Sequence, residues 1–149
     1  MTSATHTPTD TTEQAARLRL AVTRLARRLR QQGGTELGPA SLAALASIER
    51  LGPLTPSALA EIERVQRPTA ARILARLEEE ALIDRAPDPT DGRCSLISIS
   101  AEGRRTLKRV RSRKNAYLAT RLRELPADDV ATLERATEIL ERVLDQDPA

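Results

Sequence analysis

The chain has 149 residues, 40% apolar and 30% charged, with a formal net charge of +3. That length suits one domain, or one domain extended by dimerising helices. One Cys and one His leave no material for an intramolecular disulfide, a thiolate metal cluster or a His-based nucleophile. With one Tyr, no Phe and no Trp, the core must be Leu, Ile, Val and Ala, and there are few rings on which single-stranded bases could stack.

The first ten residues, MTSATHTPTD, are polar and Thr-rich and are expected to be a disordered tail. From Thr12 to Gln32, Leu18, Val22, Leu25 and Leu29 recur at helical spacing among Arg17, Arg24, Arg27, Arg28 and Arg30. Gly33 and Gly34 end that helix. A second helix has Pro39 near its start and Gly52 just past its end, with Leu42, Leu45 and Ile48 on one face.

Thr55 followed by Pro56 is an N-cap and first-turn signal for a short helix, Pro56 to Ile62. After a brief connection, Pro68 marks the first turn of a helix running to about Glu80. Its inner face is Ala70, Ile73, Leu74 and Leu77; its outer face is Arg67, Thr69, Ala71, Arg72 and Arg76. Two short helices joined by a tight turn make a helix-turn-helix. Arg76 also stands where it can pair with Glu79 or Glu80 on its own helix.

Strands are expected at Ile83–Ala86 and Ser95–Ser100, joined by a turn rich in Pro, Asp and Gly. Ser100 caps a long helix, about Ala101 to Leu125, which Pro126 ends. In the last helix, capped by Asp128 or a neighbour, Val130, Leu133, Ala136, Leu140 and Leu144 share a face. Charge is segregated: residues 101–123 hold nine Lys/Arg and one acid, residues 124–149 eight acids and two Arg. One face is therefore suited to a polyanion. The apolar runs are too short to span a bilayer, and a cytoplasmic protein with no membrane association is expected.

A helix with Arg67, Thr69 and Arg72 outward fits the major groove of duplex DNA, where Arg can donate two hydrogen bonds to guanine. A hairpin beside it could place Arg93 in the minor groove, where negative potential is focused, with Asp91 holding the guanidinium. The expected fold is mainly α with a small β-hairpin wing: a winged helix-turn-helix flanked by long helices. No Gly-rich phosphate loop and no paired carboxylates in an apolar setting support catalysis, so no enzyme, cofactor or metal site is expected.

The stretch ALAEIERVQRPTAARILARLEEEALIDRAPDPTDGRCSLISISAEG resembles the core signature of MarR-type transcription regulators. Leu59, Ala60, Val65, Pro68, Thr69, Arg72, Leu77, Glu78, Leu82, Ile83, Arg85, Asp88, Pro89, Asp91, Arg93, Ile99 and Gly103 carry the match, over about Leu54 to Thr106. The resemblance implies a homodimer on a pseudo-palindromic operator, with half-sites roughly 10 bp apart. It implies a helical dimerisation region at 11–35 and 101–146 around a DNA-binding segment at 36–100. Gln66, Arg67, Thr69 and Arg72 would face the major groove, with Arg76 further along the same helix. Arg93, supported by Asp91, would enter the minor groove, and Thr55 and Ser57 would meet phosphates.

The chain departs from the pattern at Gln66 (often a Ser cap), at Ala81 (usually Gly) and at Gly92 (often Arg). The resemblance also implies release from DNA by a small aromatic or anionic effector. Arg17, Leu18, Val22, Leu42, Leu45 and Arg104 are the candidates to line its site, although ordinary core and surface would account for the same residues. Cys94 lies beside Arg93, a cation that would lower its pKa; an incidental small residue is the plainer reading. The competing functions are a winged-helix protein–protein adaptor and a non-specific architectural DNA binder.

Overall fold

The computed structural model describes residues 10–146; apart from Asp10, the expected N-terminal tail lies outside them. The order is α1 (Thr11–Gln32), α2 (Pro39–Leu51), α3 (Pro56–Ile62), α4 (Arg67–Glu79), β1 (Ile83–Pro87), β2 (Ser95–Ile99), α5 (Ala101–Arg123) and α6 (Ala127–Asp145).

Side-chain caps start several helices. Asp10 accepts from the Thr12 amide, Thr55 from Ala58 and Ser100 from Gly103, each satisfying a donor the helix leaves orphaned. Gln66, at the cap of α4, makes no such bond. The cap of α6 is Pro126, not Asp128. The ring fixes φ near the value a helix entry needs, and Asp128 and Asp129 sit inside the first turn, where their charge meets the positive helix end.

The core lies where α2, α3, α4, the hairpin and the start of α5 converge. Leu45, Ile48, Leu59, Leu74, Leu77 and Ile97 are its largest fully buried side chains. β1 and β2 pair antiparallel in the register Ile83↔Ile99 to Pro87↔Ser95. Leu54 adds a one-residue bridge on the other side of β2, exchanging both backbone bonds with Ile97 at 3.0 and 2.7 Å. The connection between α2 and α3 is thereby fastened to the wing.

α4 ends on Ala81 at φ 57°, the left-handed conformation that glycine adopts without strain. The chain can then turn at once into β1. Ser100 clamps the corner: its hydroxyl donates to the Ala81 carbonyl at 2.7 Å and accepts from the Gly103 amide at 3.0 Å. Gly103 is required there, because a Cβ would collide with the Leu82 carbonyl and with Ile99. Strand β2 stops at Ile99, one residue short of the expected end, because Ser100 is committed to capping α5.

Candidate nucleic-acid interface

α3 and α4 cross through a tight turn, residues 63–66, in which Arg64 takes φ 53°. The turn is held by the Val65 amide bonding to the Ala60 carbonyl at 3.0 Å and by Ser47 of α2, whose hydroxyl donates to Glu63. α4 buries Ala70, Ile73, Leu74 and Leu77 against the core. This leaves Gln66, Arg67, Ala71, Arg72 and Arg76 exposed and Thr69 half-buried between them. A helix cannot present its outer face to a groove if that face packs on its own chain; here it is open to solvent.

Arg72 leans toward Thr69, with Nη2 and Oγ1 3.5 Å apart. Arg67 is in no ion pair among the described residues, whereas Arg76 is held by its own helix, 2.6 Å from Glu80 and 3.8 Å from Glu79. Thr55 uses its side-chain oxygen to cap α3 at 3.1 Å, and Ser57 is exposed in the first turn of the same helix.

Two aspartates order the tip of the wing. Asp88 accepts from the Thr90 amide and hydroxyl at 2.8 and 2.7 Å, and these bonds hold its carboxyl below the usual carboxylate range. Asp91 accepts from the Arg93 amide at 3.1 Å and from its guanidinium Nε at 3.4 Å. The Arg93 side chain is 93% exposed, so Asp91 orients it without covering it.

For Cys94 the carboxylate outweighs the neighbouring cation. The Asp91 charge, some loss of hydration and a contact from Sγ to Asp91 Oδ2 at 3.6 Å push the thiol pKa up. The expectation of a lowered pKa is corrected: a protonated thiol is a poor nucleophile.

Sequence reading missed the strut between the wing and α4. Arg85 of β1 donates through Nε to Glu78 of α4 at 2.6 Å and through Nη2 at 3.3 Å. The bond to Arg85 lowers the Glu78 pKa and that to Glu78 raises the Arg85 pKa. Both residues belong to the matched pattern, but their seven-residue separation across a turn carries no periodic signal.

The effector candidates do not converge. Leu45 is wholly buried, Leu18 and Val22 are each 47% exposed on α1, and Arg17 and Arg104 are exposed. A hollow of about 250 Å³ does open between α2 and α5, lined by Leu42, Ala46, Val110, Arg30, Arg111 and Lys114 among others. Of the six candidates, only Leu42 reaches it. Arg111 is tied to Glu49 at 2.9 Å.

Comparison with known proteins agrees with this geometry. Residues 37–95 match the model of the MarR family. An HTH-type transcriptional regulator of Mycobacterium tuberculosis (strain CDC 1551 / Oshkosh) is 36% identical over 135 residues, 90% of this chain and 94% of the relative. The crystal structure of a transcriptional regulator protein from Pseudomonas aeruginosa PA01 superposes with a TM-score of 0.82 at 34% identity, covering 93% of this chain and all of that one. A mutant of S. aureus MepR, solved bound to an oligodeoxyribonucleotide, shares the fold, with a TM-score of 0.69 at 18% identity over 87% of this chain and 96% of that one.

Proposed function

Since the chain belongs to the MarR family of DNA-binding transcription regulators, which are not enzymes, we propose that it acts in the cytoplasm as a homodimeric repressor of a pseudo-palindromic operator. The observation that carries the reading is the solvent-open outer face of α4, backed by a wing that the Arg85–Glu78 strut joins to the same helix. In this reading Arg67, Thr69, Arg72 and Gln66 read or approach base edges in the major groove, where a good bidentate Arg contact discriminates by about 1–3 kcal/mol. Arg93 enters the minor groove in the orientation that Asp91 sets. Thr55 and Ser57 meet backbone phosphates, and Arg76 contributes once it leaves Glu79 and Glu80. Dimerisation is supported by the apolar stripes of α1 and α6, neither of which has a buried residue within its own chain.

Release by a small anionic or aromatic effector fits best at the hollow beside α5, where Arg30 and Lys114 flank Leu42 and Val110. No described helix is long and apolar enough to cross a membrane.

Random-duplex selection followed by binding assays over a salt series tests the reading. We expect one selected operator and an affinity that falls steeply as salt rises, because neutralised phosphates release counterions. Arg72→Ala should weaken operator binding by about 1–3 kcal/mol and blur one base position. Arg93→Ala should weaken binding with less loss of major-groove specificity. Selection without sequence preference would point to the architectural or adaptor readings; two alanine variants that bind like wild type would refute the residue roles.

A further inference from the structure

α1 and α6 carry opposite charge, and each leaves apolar side chains uncovered, although α1 also meets α5 of its own chain near Leu29. On α1, Leu18, Val22 and Leu25 are 47%, 47% and 45% exposed; on α6, Leu133, Val143 and Leu144 are 44%, 56% and 70% exposed. α6 makes hardly any contact with the rest of its chain. Beside these stripes α1 bears Arg17, Arg19, Arg24, Arg27, Arg28 and Arg30 against one acid, Glu13. None of the six is in an ion pair among the described residues. α6 bears Asp128, Asp129, Glu134, Glu138, Glu141 and Asp145 against Arg135 and Arg142. Among the described residues, only Glu138 of those acids is in an ion pair, with Arg135 of its own helix at 2.8 Å.

The charges are placed, not scattered. Glu134, Glu138, Glu141 and Asp145 follow one another at spacings of four, three and four, which stacks them in a line along one edge of the α6 apolar stripe. On α1, Arg17, Arg24 and Arg28 run along one edge of the Leu18–Val22–Leu25–Leu29 stripe, and Arg19 and Arg30 lie along the other. With Arg on both edges, a facing helix that carries its acids on one edge meets cations whichever way it runs. α1 against α1, or α6 against α6, would instead set like charges together.

We propose that, where the terminal helices of two copies of this chain pack together, the opposed charges of α1 and α6, beyond their apolar stripes, select the pairing of α1 on the α6 of a second copy. The proposal rests on the homodimer reading above and adds what decides its specificity. Apolar stripes alone are promiscuous; discrimination comes from the repulsion that alternatives incur. Each exposed pair contributes little, but the set occurs twice in a symmetric dimer and is weakened together by salt.

The test uses the full chain in two charge-reversed forms. One carries Arg17→Glu, Arg19→Glu, Arg24→Glu and Arg28→Glu; the other carries Glu134→Arg, Glu138→Arg, Glu141→Arg and Asp145→Arg. Molar mass and dimer Kd are read by sedimentation, with helicity checked by circular dichroism. Each form alone should dimerise about ten-fold or more weaker than wild type, as attractions become repulsions. An equimolar mixture should form a heterodimer with near wild-type affinity. As a readout that needs no variant, the wild-type dimer Kd should rise several-fold between about 0.1 M and about 1 M NaCl. Two reversed forms that dimerise like wild type, a mixture that fails to restore affinity, or a salt-insensitive wild-type Kd would each overturn the charge-selected pairing while leaving the homodimer standing. A wild-type chain that stays monomeric at every concentration would instead remove the homodimer reading beneath it.

Discussion

Every helix from Pro39 to Glu79 buries part of itself, and so do Ile83 of β1 and Ile97 and Ile99 of β2. α1 and α6, at 22 and 19 residues among the longest elements, have no fully buried residue, only half-buried ones such as Leu29 and Leu140. The winged segment closes its own core, so its stability is a property of one chain. α6 leaves most of its apolar stripe without a surface of that chain to receive it, and α1, although it meets α5 near Leu29, leaves Leu18, Val22 and Leu25 exposed. Most of the stability of a helix in a protein comes from packing its apolar face, so these two helices are the part of the molecule that a partner would stabilise.

The largest expected effect breaks the comparison from the core side. Leu45→Ala removes a side chain with no exposed surface and should cost about 2–5 kcal/mol of unfolding free energy, as buried Leu truncations do. Leu144→Ala, at a side chain 70% exposed, should change single-chain stability by less than about 0.5 kcal/mol. Denaturant melts of both variants at low protein concentration check the contrast; equal losses would mean that the flanking helices pack on their own chain.

Next is Gly103→Ala, expected to cost about 1–3 kcal/mol because the added methyl meets the Leu82 carbonyl, which cannot move without opening the corner between α4 and α5. Ala81→Gly has the opposite sign. It relieves a left-handed residue and should raise the melting free energy by about 1 kcal/mol, with no change in operator specificity by competition assay.

The smallest effect concerns the Arg85–Glu78 strut. A carboxyl whose pKa is lower in the folded chain stabilises above its unfolded value, near pH 4.3, and that contribution is lost as pH falls through the folded value. The pair is more than a third exposed, so about 0.5 kcal/mol or less is expected. A pH series of melts should therefore show Glu78→Gln converging on wild type at low pH and falling slightly below it at neutral pH. A constant difference across the series would show that the strut is not electrostatic.

Much of the molecule was legible in residue order. Periodicity revealed α1 and the buried face of α4, and Thr55–Pro56 and Ser100 announced helix starts, because these signals are local. The Pro/Asp/Gly turn foretold the wing, and Asp91 beside Arg93 foretold their ion pair, because two residues on a turn have little room to separate. Other features needed distant groups to be brought together. The Leu54–Ile97 bridge, the Arg85–Glu78 strut and the hollow that holds Leu42 but not Leu18 or Val22 each join residues from separate elements.

The amino-acid order alone thus determined which segments are helix or hairpin, which faces are apolar and where charge accumulates, since these depend on neighbours a few residues apart. Only the tertiary structure decided that Arg85 of β1 meets Glu78 of α4, that Leu45 is core and not pocket wall, and that Leu18, Val22 and Leu25 of α1 and Leu133 and Leu144 of α6 are left uncovered. Those outcomes turn on distances between groups whose separation along the chain says nothing about their separation in space.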